Sequence, residues 1–362
     1  MIPIAEPELG ARELEAVGEI AESGQLADGP EVRRFESEFA DFCGVEHGVA
    51  TTNGTTALHT ALEALGIGAG DRVVTTPFSF IASANAVRFA GAEPVFADVD
   101  AETHTIDPHA VEEIVRERDV DALLPVHLYG LPAEMAHLGE IADEHDLLLI
   151  EDAAQAHGAG FEGERVGTFG DAACFSFYPT KNMTTGEGGM VLTDDETIAE
   201  RAASFVNHGR TAGGVAAEHA SVGHNFRLSS LLAAIGRVQL ERLPEYNEAR
   251  RANAARLTEG LADAVETPIE PEGHRHVYHQ YTIRSPDRDR LAAALEREGV
   301  GSKVYYPRPI HERPPYADHD PDAPEAERAA REVLSLPVHP GLSATEVERV
   351  IAAVGAGVEA VA

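Results

Sequence analysis

Short apolar segments alternate with helical patterns along the first half of the chain, and this alternation constrains the fold more than any other feature. Apolar runs such as 122–126 and 147–150 have the length of buried strands, and the amphipathic patterns at 108–118 and 133–144 separate them. Strands that alternate with helices form parallel sheets, with right-handed crossovers and helices on both faces. The pattern therefore predicts an α/β fold whose ligands bind at the carboxyl ends of the strands.

One stretch, 147–190, carries the clearest chemical signal. Its opening apolar run ends at Asp152, and a second run, 172–178, leads to Lys181. The chain has only two lysines, Lys181 and Lys303, and burial in an apolar, glycine-rich setting lowers the pKa of a lysine toward a reactive amine. A pyridoxal phosphate site needs such a pair, because the lysine binds the cofactor aldehyde and the carboxylate holds a proton on the pyridine nitrogen. Without its flanking residues, the same pair would be typical of a helix cap and a solvated loop lysine.

The flanking residues carry a family resemblance. Residues 151–159, EDAAQAHGA, and 170–190, GDAACFSFYPTKNMTTGEGGM, resemble the signature of the DegT/DnrJ/EryC1/StrS family of sugar aminotransferases, which are fold-type I pyridoxal phosphate enzymes. The resemblance implies an aspartate aminotransferase-like large domain, with a mostly parallel seven-stranded sheet flanked by helices, and a smaller C-terminal α/β domain. We expect the large cofactor-binding domain over 1–243 and the small domain over 244–362.

A phosphate site is predicted where a short strand leads through Gly54 and Thr55 into a helix. Free N–H groups and the dipole at a helix N-terminus favour an anion there. Taken alone, Asn53 and the two residues after it are more typical of a simple helix cap. The segment NGTTAL resembles the family's phosphate-binding turn, however, and the resemblance implies that Gly54 and Thr55 bind the phosphate of the cofactor.

The resemblance assigns further residues around the cofactor. It implies that Gln155 contacts the phenolic oxygen, that Ser176 contacts the phosphate and that Phe80 stacks on the ring. By its position in the aromatic run CFSFY alone, Ser176 is more often a small spacer bonded to the backbone. We expect Phe78 to lie in the core, and the resemblance gives His157 no role beyond packing.

Residues 222–243, VGHNFRLSSLLAAIGRVQLERL, follow a loop at 207–214 and resemble a family segment that lies beside the neighbouring subunit's cofactor. The resemblance implies that Asn225 contacts the phosphate bound in the partner subunit and that Arg227 binds a substrate anion. One helix is predicted at 230–243 and a second, beginning at Pro244, to about 261. The helix 230–243 is apolar around more of its surface than one core contact needs. A homodimer with shared active sites explains this excess, although burial within one subunit explains the pattern equally well.

The C-terminal segments VYHQYTIR, GVGSKVYYPRPIH and SLPVHP also resemble the family pattern. Tyr306, Arg308 and His311 are candidates for binding the substrate, and an equal alternative is that packing holds them as loop residues. We expect strands at 277–283 and 303–306, with Lys303 in solvent beside the second.

These assignments imply a pyridoxal phosphate-dependent aminotransferase. The amino donor is L-glutamate by family analogy, and the acceptor is a nucleotide-linked keto-sugar. A sugar dehydratase on the same scaffold is the first alternative, but in those relatives a histidine replaces the lysine that is present here as Lys181. A non-catalytic regulatory protein is the second, and the four intact site residues Asp152, Gln155, Ser176 and Lys181 argue against it. An oxidoreductase is disfavoured because NGTTAL is not a GxGxxG turn.

Composition excludes some partners. The formal charge of −34, from 62 acidic and 28 basic residues, argues against binding nucleic acid. The acids are spread over amphipathic helices, which predicts an acidic surface adapted to high salt. Cys43 and Cys174 lie in apolar contexts and are predicted to be free buried thiols. No leader pattern, bilayer-length apolar run or metal-ligand cluster stands out, so we expect a cytoplasmic protein with no membrane segment and no metal.

Overall fold

The computed structural model describes residues 1–211 and 218–361, so part of the loop predicted at 207–214 lies outside the described residues. The described helices are α1 Ala11–Ser23, α2 Pro30–Cys43, α3 Gly54–Leu65, α4 Ala82–Phe89, α5 Pro108–Glu117, α6 Met135–His145, α7 Glu196–Val206, α8 Ser230–Leu261, α9 Arg288–Arg297, α10 Pro324–Glu332 and α11 Ala344–Val361. The strands are β1 His47–Thr51, β2 Arg72–Thr75, β3 Glu93–Phe96, β4 Ala122–Leu124, β5 Leu148–Asp152, β6 Gly160–Phe161, β7 Glu164–Arg165, β8 Ala172–Ser176, β9 Gly189–Thr193, β10 His274–Arg275, β11 Tyr281–Arg284 and β12 Val333–Leu336.

The main sheet has seven strands in the order β1-β9-β8-β5-β4-β2-β3. Strands β8, β5, β4, β2 and β3 run parallel to one another, whereas β9 is antiparallel to both β1 and β8. The prediction of a mostly parallel seven-stranded sheet is therefore confirmed. The carboxyl ends of β1, β5 and β8 and the start of β9 meet at one edge, because Ser176 and Thr51 both pair with Gly189.

Helices cover both faces of this sheet. On one face α3 packs on β8 and β9 and also contacts α4 and α7, while on the other α2 packs against α8. An aromatic cluster of Phe35, Phe39, Phe175 and Phe177 fixes α2 to β8, with Phe39 and Phe175 ring centroids 5.0 Å apart. Complete burial of one such side chain contributes roughly 2–3 kcal/mol, so this cluster alone accounts for a large share of the contact between helix and sheet.

Local sequence signals set several helix ends. Pro30 opens α2, where its fixed φ suits the first helical position, and Gly44 ends the helix in a left-handed conformation with φ 89°. The side chain of Asn53 caps α3 by accepting from the Thr56 N–H at 2.9 Å.

The linker region differs from the prediction. The two helices expected at 230–243 and 244–261 form one helix, α8, which passes through Pro244 without a break. The predicted domain boundary falls inside this helix and stays a prediction. Ile2, at the other end of the chain, packs with Leu257 and Leu334 in the C-terminal core and pairs with Val300.

Two strand predictions in the C-terminal part need correction. The strand expected at 303–306 is wrong, since only Lys303 makes a bridge, to Ser335. The strand expected at 277–283 begins later, as β11, and pairs antiparallel with β12, which the sequence reasoning missed. Cys43 and Cys174 are free and buried, as predicted. Among the described helices, none combines the length and the apolar character that crossing a membrane requires.

Candidate active site

Asp152 ends β5 and lies buried at the edge where the strands end. Its Oδ2 accepts a 2.7 Å hydrogen bond from the hydroxyl of Ser83, in α4, and its Oδ1 accepts one from the Ala154 N–H at 3.2 Å. Burial raises the pKa of Asp152 above its usual value, while these two bonds and the charge of Lys181 act in the opposite direction. The site thus contains a carboxylate whose charge depends on its partners.

Lys181 lies half-buried in the loop after β8. Its main-chain N–H donates to the Tyr178 carbonyl at 2.9 Å. Burial lowers the pKa of Lys181 to about 8, and the charge of Asp152 acts to raise it. Because each of the two groups influences the pKa of the other, the fold brings the predicted pair into one electrostatic site. A lysine in this state carries a substantial neutral fraction near neutral pH, which nucleophilic chemistry requires.

The predicted phosphate turn is built against β8. Ala57 N–H is the first to bond within α3, to the Asn53 carbonyl, and Thr56 N–H is taken by the Asn53 side chain, so the N–H groups of Gly54 and Thr55 precede the helical ladder. A Cβ at Gly54 would lie 2.7 Å from the Cβ of Ser176, so only glycine permits this close approach. The helix N-terminus and the Ser176 hydroxyl therefore form a cradle whose chemistry suits a phosphate.

Gln155 is fixed in orientation by its two partners. Its Oε1 accepts from the Tyr129 N–H at 2.8 Å, and its Nε2 donates to the Tyr306 hydroxyl at 2.8 Å. Tyr306 therefore belongs to the site, although it is distant in sequence. Phe80 is 58% exposed at the mouth, with its ring centroid 6.3 Å from that of Tyr306, whereas Phe78 is fully buried as expected.

Sequence reasoning missed Glu151, the acid that precedes Asp152. Its carboxylate is fully buried and accepts from the N–H groups of Gly167 and Phe169, both at 2.8 Å, and of Gly170 at 3.2 Å. It also lies 2.9 Å from Nε2 of His127, and Nδ1 of that ring accepts from the Ala133 N–H at 3.0 Å. Nε2 therefore carries the proton and donates to Glu151. No local sequence pattern indicates this role of Glu151, and none indicates the contacts of Ser83 with Asp152 or of Tyr129 with Gln155.

His157 packs where the sequence left it without a role. The ring is fully buried beside Phe175 and Phe177, and neither nitrogen has a hydrogen-bond partner among the described residues. Burial lowers the pKa of His157 to about 3, and the charge of Lys181 acts in the same direction. The imidazole is therefore neutral at physiological pH.

Other predicted residues lie outside this cluster. Asn225 is exposed and pairs with Asn207, while Arg227 pairs with Thr51 at the end of β1. The side chain of Arg308 is 57% exposed, 3.8 Å from Glu312. His311 is buried, with Nε2 3.7 Å from a carboxylate oxygen of Glu327. Their roles in binding substrate remain predictions.

Two groups of side chains in the described part have the residue types and spacing of metal ligands. They are His109, Glu112 and His137, and His311, Glu312 and Glu327. Neither group includes Asp152 or Lys181, and the expectation of no metal stays a prediction.

The chain matches the model of the DegT/DnrJ/EryC1/StrS aminotransferase family over residues 7–355. It is 42% identical to a pleiotropic regulatory protein of Geobacillus stearothermophilus, over 93% of this chain and 92% of that protein. It is 41% identical to a UDP-N-acetyl-3-dehydro-alpha-D-glucosamine 3-aminotransferase of Acidithiobacillus ferrooxidans, over 93% and 91% of the two chains.

The fold is similar to a solved structure. The crystal structure of DesV from S. venezuelae, in complex with a ketimine intermediate, superposes with a TM-score of 0.92 and 41% sequence identity. The superposition covers 96% of this chain and 95% of that one. The likeness therefore extends over both the sheet and the C-terminal part.

Proposed function

The chain belongs to the DegT/DnrJ/EryC1/StrS aminotransferase family, and from this premise we propose that it transfers an amino group from an amino acid to a nucleotide-linked keto-sugar, with pyridoxal phosphate as cofactor. The observation that carries the proposal is the electrostatic pairing of Lys181 with Asp152 at the end of the central strands. Relatives named as nucleotide-sugar aminotransferases support the substrate class.

The residues present fit the cofactor. Gly54, Thr55 and Ser176 would hold its phosphate, because the tight contact between Gly54 and Ser176 leaves main-chain N–H groups and a hydroxyl facing one space. Asp152 would hold the proton on the pyridine nitrogen. Gln155 would donate to the phenolic oxygen through Nε2, since its Oε1 is already occupied by the Tyr129 N–H.

Lys181 would carry the proton in the reaction. With its pKa lowered to about 8, the Nζ amine is able to accept a proton from the α-carbon of the donor and return it to the acceptor. When bound, pyridoxal phosphate supplies the electron sink for the carbon that loses this proton. Asp152 would keep the ring nitrogen protonated, and the hydrogen bond from Ser83 holds Asp152 in place and acts to lower its pKa against the effect of burial.

The finer assignments rest on the family. L-glutamate is the proposed donor, and Tyr306, Arg308 and His311 are the proposed contacts of the sugar nucleotide. We also propose a homodimer with shared sites, in which Asn225 and Arg227 lie beside the cofactor bound in the partner subunit; the exposure of Asn225 and the pairing of Arg227 with Thr51, at the end of β1, support this. Cytoplasmic location remains a prediction.

The experiment is an amination screen with purified protein loaded with pyridoxal phosphate. Glutamate is supplied as donor with a panel of nucleotide-linked keto-sugars, and the amino sugar and 2-oxoglutarate are quantified. We expect equal amounts of both products, with ping-pong kinetics, and no product from Lys181→Ala.

The same assay separates the alternatives. A dehydratase would release water from the sugar without consuming glutamate. A regulatory protein remains an alternative because the Geobacillus relative is named as one. Such a protein would fail to convert pyridoxal phosphate to its amino form with glutamate. Normal turnover by Lys181→Ala would contradict the assignment of the reactive amine.

A further inference from the structure

Arg250 is a buried cation that lacks an acidic partner. Its side chain, 6% exposed on α8, donates only to main-chain carbonyls, with Nη1 3.3 Å from the Tyr278 oxygen and 3.4 Å from the His279 oxygen. Its Nε has no hydrogen-bond partner among the described residues. Burial lowers the pKa of Arg250 to about 10, so the guanidinium is charged at neutral pH. A buried charge of this kind is unfavourable unless a counter-charge lies beside it.

The neighbouring arginine shows the ordinary arrangement. Nη1 of Arg251 lies 2.8 and 3.0 Å from the two carboxylate oxygens of Glu270, and also donates to a main-chain carbonyl. On the same helix, Arg237 is bound to both Glu31 and Glu38. With 62 acidic and 28 basic residues in the chain, acids are in excess, so a fully buried arginine without one requires an explanation.

A small cavity adjoins Arg250. Its volume is about 20 Å³, and Lys181, Tyr246 and Gln239 line it together with Arg250 and the segment 5–8. The Tyr246 hydroxyl is buried; the Gln239 side chain lies near enough to act on its pKa, but no hydrogen bond of normal geometry is made to it among the described residues. Burial raises the pKa of Tyr246 to about 12, so the hydroxyl keeps its proton and is a donor. The buried Arg250 guanidinium and an unused hydroxyl donor thus border one small cavity.

The acids near this cavity do not neutralise Arg250. Glu8 is bound to Arg242 at the surface, and Glu6 is exposed and acts on His339. Glu13, which also acts on Tyr246, is bound by Gln239 and lies 3.6 Å from Arg242. None of these three acids contributes to the pKa of Arg250. His339 is also buried, with both ring nitrogens unpartnered among the described residues. Burial and then the charge of Arg250 lower the pKa of His339, which favours the neutral ring, and a histidine supplies no negative charge in either form.

We propose that the cavity beside Arg250 binds one small inorganic anion, a halide such as chloride, held by the guanidinium and the Tyr246 hydroxyl. The volume of about 20 Å³ accepts one ion or one water and excludes an amino acid carboxylate with its side chain. A water molecule would accept the hydrogen bonds of Arg250 and Tyr246 but would leave the buried positive charge of Arg250 without a counter-charge. The site is independent of the proposed function, because none of its features requires pyridoxal phosphate or a sugar.

The first test locates the ion. Crystals of the full-length protein, loaded with cofactor, are soaked in sodium bromide, and anomalous diffraction is measured at the bromine edge. We expect a peak within hydrogen-bond distance of Arg250 Nε and the Tyr246 hydroxyl. A water there without anomalous signal would overturn the proposal, and so would a carboxylate of Glu6 or of the partner subunit found in contact with Arg250.

The second test measures binding in solution. The thermal unfolding midpoint is followed while chloride replaces gluconate at constant ionic strength, and we expect a saturable rise. Arg250→Gln should abolish the rise. Tyr246→Phe should lower the affinity for chloride, and so raise the half-saturating chloride concentration roughly tenfold, because one charge-assisted hydrogen bond is lost. The matched control, Arg251→Gln, should keep the full response.

These variants keep the proposal testable even if Arg250→Gln does not fold, because Tyr246→Phe and the bromide peak decide the matter without it. An equal chloride response in Arg250→Gln, or in Tyr246→Phe at every concentration, would refute the site. A bromide peak without a saturable chloride effect would mark an adventitious ion only, which also refutes it.

Discussion

The ionisation of Lys181 offers the most direct test of the proposed pairing of Lys181 with Asp152. Burial lowers its pKa to about 8, and the neighbouring Asp152 limits this fall. At pH 7.5 a lysine with that pKa is roughly one quarter neutral, whereas a lysine at the usual value near 10.4 is roughly 0.1% neutral. The structure therefore predicts a more than hundredfold enrichment of reactive amine before any cofactor binds. Asp152→Asn removes the charge that supports the ammonium form, so the pKa of Lys181 should fall further.

The composition of the chain makes the measurement clean. Only Lys181 and Lys303 carry ammonium groups on side chains, so ¹³C labelling of the lysine ε-carbon gives two signals. The cofactor-free protein is titrated by NMR, since attachment of the cofactor would consume the amine, and Lys303→Arg assigns the spectrum. The matched control is Asp263→Asn, which removes an exposed carboxylate just beyond α8 and should leave the Lys181 titration unchanged.

Two results would refute the reasoning. One is a Lys181 signal that titrates above about pH 10 in the folded protein, which would mean that burial does not act on the amine. The other is a Lys181 titration that does not move in Asp152→Asn, which would mean that the two groups do not share a site.

Three further predictions follow from the same structure. Lys181→Met should stabilise the cofactor-free protein at pH 7 by up to about 3 kcal/mol, because the pKa of Lys181 is lower in the folded state than in the unfolded state. In the wild type this loss of stability should begin to shrink as the pH rises through about 8 and should vanish above the pKa of the unfolded state. Denaturant unfolding of both proteins at pH 7 and 11 would show the difference. Gly54→Ala should weaken cofactor retention at least tenfold, measured by dialysis and absorbance, because the added Cβ would lie 2.7 Å from that of Ser176; unchanged retention would exclude a close-packed phosphate turn. Unfolding midpoints should rise as ionic strength increases from about 0.1 to about 1 M, equally in chloride and gluconate apart from the Arg250 effect, if the charge of −34 destabilises the fold by self-repulsion; a fall would reject the high-salt interpretation.

The central sheet was predictable because its signals are local. Each buried strand is a short apolar run, and helices such as α2, α3 and α5 begin with a proline or a capping side chain. The break expected at Pro244 was wrong for a physical reason. A proline inside a helix costs about 3 kcal/mol, yet α8 packs against α1, α2 and α11, and those contacts outweigh a local penalty. The prediction of a strand at 303–306 was wrong because only one residue, Lys303, pairs with a neighbouring strand, at Ser335, and a single pair does not make a strand.

The site was predictable where the chemistry depends on residues that are close in sequence. Asp152 and Gln155 are three positions apart, and Lys181 lies five residues beyond Ser176, so one segment supplies all four. Ser83 and Tyr129 reach the same site from α4 and from the turn after β4, at separations of 69 and 26 residues from their partners. No pattern in one sequence reports contacts of that range, because they are made only by the order of strands in the sheet.

The adjacent acids Glu151 and Asp152 show how one strand serves structure and chemistry together. Successive residues of a strand point to opposite sides. Asp152 therefore meets Ser83 and the region of Lys181, while Glu151 meets the N–H groups of the turn at 167–170. That turn immediately precedes β8, which carries the chain to Lys181, so the buried carboxylate of Glu151 aligns β8 with β5. A change at Glu151 should thus displace Lys181 relative to Asp152 without touching either one. We expect Glu151→Gln to leave one acceptor short among these amide donors, to lower the free energy of unfolding by about 2 kcal/mol or more, and to alter the Lys181 titration described above. A variant that loses stability but keeps the wild-type titration would show that the alignment of the two strands does not depend on this carboxylate.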